Sequence, residues 1–264
     1  MTSGKKITRR VAIAGGVVGA AALVYSADSL TLSPSFGRVF GAVEGWTRLS
    51  QRALLSPGQF AREYTVADLS PTFRANGTSN PGGEEYTRHA GQNFVDWRLR
   101  IDGMVARPLS LSMAEIRRLP ARTQITRHDC VEGWSAIGQW TGVPLSLLLK
   151  AAGLQVGARY AVFYCADNLE GEPSKGGEQS PGQYYESVGL ADALHPQTLM
   201  AYSLNGRPLD IAHGAPLRLR VERQLGYKHA KYVEHIQITD DFSKIAGGRG
   251  GYWEDRGYEW YAGI

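Results

Sequence analysis

The run Arg127-His128-Asp129-Cys130-Val131-Glu132-Gly133-Trp134 holds one of the chain's two cysteines where a strand-like stretch gives way to a glycine turn. A thiol at the end of a strand stands where the chain leaves the sheet, which is a position for a metal ligand. Arg127, and His128 when protonated, are expected to favour the thiolate, because nearby positive charge lowers a thiol pKa. The second cysteine, Cys165, lies in the continuous apolar run "AVFYCAD" and reads as a small buried hydrophobe. In an exported chain the two could also pair as a disulfide. Their count and spacing exclude a four-cysteine zinc site and a CxxC redox pair.

A second group of chemical residues lies in "HGAPLRLRVERQLGYKHAKYV", which gathers His213, Arg218, Arg220, Arg223, Lys228, His229 and Lys231, with Gly214 and Gly226 between them. Such a cluster suits an anion. Strand alternation puts Arg218 and Arg220 on one face, and the loop after Gly226 can aim Lys228 and Lys231 at a phosphate. A solvated strand edge guarded by basic residues is the competing reading. The glycine-rich loop "SPTFRANGTSNPGGEEYTRHAG" is of the kind that wraps a ligand.

The elements that must position these residues show in the pattern. Trp97, Leu99 and Ile101 alternate with Arg98, Arg100 and Asp102, the period of a half-buried strand. Ser112 with Glu115 forms a capping box that opens a short helix ended at Pro120. "RTQITRHDC" and "RYAVFYCAD" read as strands, and "VPLSLLLKAAG" as a helix closed by Gly153. Asn205-Gly206 marks a tight hairpin, and "LRLRVERQ" and "VEHIQITDD" alternate again. Short helices between strands without a regular βαβ rhythm indicate an α+β fold dominated by a mixed, mainly antiparallel sheet. The tail holds Tyr252, Trp253, Tyr258, Trp260 and Tyr261 among glycines. A disordered tail would be poor in aromatics, so it is expected to fold back as core cover or as the rim of a pocket.

The chain has 264 residues, of which 43% are apolar, enough to bury a substantial core. Residues 1–27 have a basic head, the twin arginine Arg9-Arg10 and an apolar run too short for an ordinary membrane span. They read as a twin-arginine export signal or an N-terminal anchor, followed by a linker over 28–65 and one domain over 66–264. Such signals serve proteins exported already folded, often around a cofactor, which places the domain in the periplasm. Lys5, Lys6, Arg9 and Arg10 account for the whole formal net charge of +4, and the body is near neutral. No basic stripe with interleaved aromatics is present, which argues against nucleic acid as a partner.

Three segments in this order, "HDCVEGWSAIGQWTGVPL", "ADALHPQTLMAYSLNGRPL" and "HGAPLRLRVERQLGYKHAKYV", resemble the molybdopterin-dependent oxidoreductases of the sulfite oxidase superfamily. The likeness is nearest to the exported bacterial branch that includes methionine sulfoxide reductase catalytic subunits, and it covers roughly residues 70–264. It implies the sulfite-oxidase-type molybdopterin-binding fold and a molybdenum–molybdopterin (Mo-MPT) cofactor, with Cys130 as the protein ligand to the metal. Asn76, Cys165, His213 and Arg218 correspond to pterin contacts, with His128 grouped among the cofactor-binding residues. Lys228, His229 and Lys231 fall in the segment that closes over the cofactor phosphate, and Tyr258 lies where the superfamily places an active-site tyrosine.

Sulfite-oxidising members carry an asparagine and two arginines soon after the metal cysteine, where this chain has "CVEGW". Cys165 and His213 replace a threonine and an asparagine of the methionine sulfoxide reductase branch. The resemblance therefore implies an oxygen-atom-transferring enzyme that reduces a small or protein-bound S-oxide or N-oxide, rather than one that oxidises sulfite. With no CxxCH haem motif in the chain, a separate electron donor of the membrane haem class is implied. The alternatives are a sulfite-oxidising enzyme, a cysteine hydrolase with His128 as base, and a periplasmic domain that has lost the metal.

Overall fold

Leu99 and Ile101 are wholly buried while Arg98 and Arg100 face solvent, so the first strand lays one face on the core as its alternation requires. The computed structural model describes residues 58–171 and 180–264. The expected leader, and the expected linker up to residue 57, lie outside the described residues.

Among the described residues, ten strands form two sheets. In the first, β1 (Arg98–Gly103) is flanked by β2 (Leu109–Ser112) and β10 (Val233–Thr239), and β5 (Tyr160–Asn168) and β6 (Gln183–Gly189) complete the order β2-β1-β10-β5-β6. β1 and β10 run parallel, with Ile101 beside Ile236, and every other pairing in that sheet is antiparallel. The second sheet runs β3 (Arg122–Cys130), β4 (Trp134–Pro144), β7 (Thr198–Leu204), β8 (Arg207–Pro208), with β9 (Arg218–Val221) also paired to β7. The α-helices among the described residues are short: α1 (Glu84–Gly91), α2 (Met113–Arg118), α3 (Leu145–Ala152) and α4 (Leu190–Ala193). This is the expected α+β architecture of mixed, mainly antiparallel sheets.

Local chemistry sets the boundaries. The Ser112 hydroxyl accepts from the Glu115 amide at 3.2 Å and the Glu115 carboxylate accepts from the Ser112 amide at 2.8 Å, closing the capping box of α2. Asn205 and Gly206 both adopt positive φ (50° and 75°), the geometry of a tight primed hairpin turn between β7 and β8, where glycine carries no Cβ penalty. One core draws on both sheets and on α3, with Leu99, Phe163, Leu219, Ile236, Leu145 and Leu148 all at zero exposure. Each such side chain contributes roughly 1.5–3 kcal/mol of transfer free energy.

Two flanking segments are tied to this body. Ala61 exchanges hydrogen bonds with the Gln197 side chain, and the Tyr64 amide donates to Ile125 O at 2.8 Å, so the last residues of the expected linker lie along β3. At the other end Leu225 N donates to Ala262 O and Ile264 N donates to Arg223 O. The aromatic tail folds back, as its composition demanded.

Candidate functional site

Cys130 ends β3, and the chain turns immediately: the Gly133 amide donates to Cys130 O at 3.1 Å, with Gly133 at φ 86°. The thiol is half-buried and lines a cavity of about 250 Å³. The cavity wall is assembled from four other places. The loop Asn76-Gly77-Thr78 supplies one side, Asp167 and Leu169 at the end of β5 and Tyr184 of β6 another, Tyr227, His229 and Lys231 a third, and Trp253 and Tyr258 of the tail the rim. Val131 and Glu132 complete it beside the cysteine.

Burial pushes the Cys130 thiol pKa up, against a smaller downward pull from the Glu132 backbone N–H. The expected help from Arg127 and His128 is absent. Arg127 projects from the opposite face of β3, where its Nε donates to Asp129 Oδ2 at 2.9 Å. His128 is buried, and its pKa is held well below the ordinary value by desolvation and then by Arg220. Its Nδ1 lies 2.9 Å from Arg220 Nη1. Because arginine only donates, Nδ1 accepts and the proton resides on Nε2. His128 is a neutral wall residue behind the pocket, so neither a cationic activator nor the free base a hydrolase needs.

His229 packs edge-on against His128, ring centroids 5.1 Å apart. Its Nε2 faces Gln224 O at 3.0 Å, so that nitrogen carries the hydrogen and Nδ1 is left as an acceptor. This packing needs Gly226: a Cβ there would fall 2.6 Å from His128 Nε2. Arg218 and Arg220 share a face, as alternation predicted, but both are buried over Trp140, at 4.9 and 4.3 Å from its ring centroid. Arg220 is neutralised by Glu222, Nε to Oε1 2.9 Å. Arg218 has Nη bonds to His213 O and His229 O, and burial and then Arg220 hold its pKa down to about 9.

Of the residues expected at the site, Cys130, Asn76, His229, Lys231 and Tyr258 line the cavity. Others are placed elsewhere. Lys228 does not reach for a phosphate: its ammonium is fully buried and bonds Glu186 and Glu254, because a desolvated charge must be paired. Cys165 belongs to the hydrophobic core, and both cysteines are free, so the disulfide is not formed. His213 turns its ring nitrogens to Asp210 Oδ1 (2.7 Å) and Phe73 O (2.9 Å), away from the cavity. Sequence reasoning passed over Asp167, Glu132, Tyr184 and Tyr227, while Trp253 belongs to the tail that was expected as core cover or pocket rim. An acid ending the apolar run "AVFYCAD" was the available signal for Asp167, whereas nothing local separates Tyr184 from a core tyrosine.

The sequence profile of the oxidoreductase molybdopterin-binding domain matches residues 88–245. The chain belongs to that family. A putative protein-methionine-sulfoxide reductase subunit of Azospira oryzae, YedZ1, is 35% identical over 238 residues, covering 90% of this chain and 78% of that protein. The sulfane dehydrogenase SoxCD of Paracoccus pantotrophus superposes with a TM-score of 0.48 at 24% identity, over 59% of this chain and 40% of that one. This molybdopterin-binding oxidoreductase is thus an enzyme whose cofactor is molybdenum–molybdopterin.

The cavity's chemistry fits that group. Among the described residues Asn76 Oδ1 and His229 Nδ1 have no hydrogen-bond partner, and acceptors are what the N–H groups of a pterin require. Lys231 uses two of its three donors on Thr78 O and Ala212 O, which leaves one for a phosphate. Burial and then Arg218 lower its pKa to about 7, and a phosphate beside it would restore the charge. The Cys130 sulfur is the soft donor for the metal, which would remove the thiol proton that burial retains.

Proposed function

We propose that this oxidoreductase removes an oxygen atom from an S-oxide or N-oxide, with electrons from a separate one-electron donor of the membrane haem class. The observation that carries the reading is the make-up of the cavity. Its mouth is apolar and aromatic, with Val131, Leu169, Trp253 and Tyr258, and its charged lining residues are Glu132, Asp167 and the largely committed Lys231. An anion such as sulfite would meet two acids and little spare positive charge. A neutral oxide, small or carried on a protein side chain, meets no such repulsion, and its apolar flanks suit the mouth. The name of the Azospira oryzae relative supports the sulfoxide class.

When bound, the cofactor supplies the two-electron couple for oxygen-atom transfer. The chain supplies the rest. Glu132 accepts from Trp134 Nε1 at 2.9 Å and from Gly77 N at 3.3 Å, and these bonds hold its carboxyl below the ordinary value, so it clips the 76–78 loop to the cysteine turn as a carboxylate. Tyr184 and Tyr227 donate their hydroxyls to Tyr227 O and Glu259 O, each at 2.6 Å, which stiffens the wall beneath the tail. The twin-arginine leader carries the folded chain to the periplasm in this reading, still tethered to the inner membrane if uncleaved. Steady-state assays with reduced viologen, against methionine sulfoxide, trimethylamine oxide and, in the oxidising direction, sulfite, test it. Turnover of an oxide but not sulfite is expected; sulfite oxidation without oxide reduction would overturn it.

A further inference from the structure

Reducing an S-oxide to a thioether and water breaks one S–O bond, makes two O–H bonds, and consumes two electrons and two protons. The donor brings the electrons, and the protons must reach the departing oxygen inside the cavity. Most polar groups of its wall have no proton to give. The phenols of Tyr184 and Tyr227 are committed to backbone carbonyls, and burial pushes both pKa values far above neutral. Glu132 stays ionised. His229 gives its hydrogen to Gln224 O, and Lys231 spends two donors on carbonyls.

Asp167 differs. It lies near the end of β5, is 4% exposed, lines the same cavity as Cys130, and has one carboxyl oxygen, Oδ1, with no hydrogen-bond partner among the described residues. A buried carboxyl with a bare oxygen is costly as an anion and cheap as an acid. Desolvation accordingly raises its pKa to about 6, against the smaller pulls of the Thr78 side chain and then of Lys231. The titratable groups that face it are Lys231, Tyr232, Tyr86 of α1, Tyr184 of β6 and Cys165 of its own strand. Of these only Lys231 changes charge near neutrality, so Asp167 can lose and regain a proton there while the rest stay fixed.

We propose that Asp167 is the catalytic acid of this cavity, protonating the substrate oxygen as the S–O or N–O bond breaks. It is reloaded from water at the cavity mouth and delivers the second proton in the same way, so the product oxygen leaves as water. This assignment rests on the oxide-reducing reading above.

The sign of the pH dependence follows. The acid form is required, so kcat falls as pH rises through about 6. In cofactor-loaded Asp167→Asn, molybdenum content and KM are expected to hold while kcat drops about 10²-fold and that descending limb disappears. Infrared difference spectra of the wild type, loaded and cofactor-free, should show a protonated-carboxyl band that titrates away over the same range and is missing in the variant. Asp167→Glu should recover part of kcat with a displaced limb; should the asparagine variant lose the cofactor, the glutamate variant and the wild-type spectra decide. A wild-type kcat and pH profile in Asp167→Asn, or no titrating band in the wild type, overturns the assignment alone. A wild type that reduces no oxide removes the reading beneath it as well.

Discussion

The ammonium of Lys228 has two carboxylates in front of it and is shut off from solvent, with side-chain exposures of 0, 0 and 1% for Lys228, Glu186 and Glu254. One positive charge against two acids in a dry site leaves one carboxyl to keep its proton. Burial, and then Glu254, push the Glu186 pKa up accordingly. Removing the cation would strand the acids, so Lys228→Met is expected to cost about 3–5 kcal/mol in urea denaturation. The histidine pair gives a second residue-scale expectation. His128 and His229 both have folded pKa values below the ordinary 6.5, so the unfolded chain binds protons first as pH falls through 6.5. Stability is therefore present above that value and lost below it, at up to about 1.4 kcal/mol per pH unit for each histidine. Denaturation of wild type and His128→Asn across about pH 5–8 should show a shallower acid loss in the variant, because asparagine can still accept from Arg220 without charging.

Elements carry those residues, and they were legible where pattern and packing agree. The alternation of β1, the capping box of α2 and the Asn205-Gly206 hairpin each depend on a few neighbouring residues and stand as expected. Lys228 was misplaced because its partners, Glu186 and Glu254, come from far along the chain, whereas Cys165 lies in the core as its apolar run indicated and does not line the cavity as the resemblance implied. The same holds for Tyr184, which reaches the cavity only because β6 and the tail meet there. Gly226 tests the most demanding contact between elements. Gly226→Ala forces a methyl against the imidazole of His128 and is expected to cost about 1–3 kcal/mol and to shift His229 on the cavity wall. Thermal unfolding reads the first effect and cofactor content the second.

At the scale of the molecule, two sheets share one core, and the site lies where the end of β3, the end of β5 and the returning tail converge. Three segments distant in sequence thus supply the soft sulfur, a buried carboxyl and the aromatic mouth. The near-neutral body agrees with a small neutral substrate. The central claim is that Cys130, with the acceptors of Asn76 and His229, holds a molybdenum cofactor. It is tested by molybdenum per chain, from elemental mass spectrometry, on protein made in a host that synthesises the pterin, beside Cys130→Ser. Near-stoichiometric molybdenum in the wild type, with metal or activity lost in the variant, is the expected result. Well-folded wild-type protein without molybdenum from that host would contradict the account.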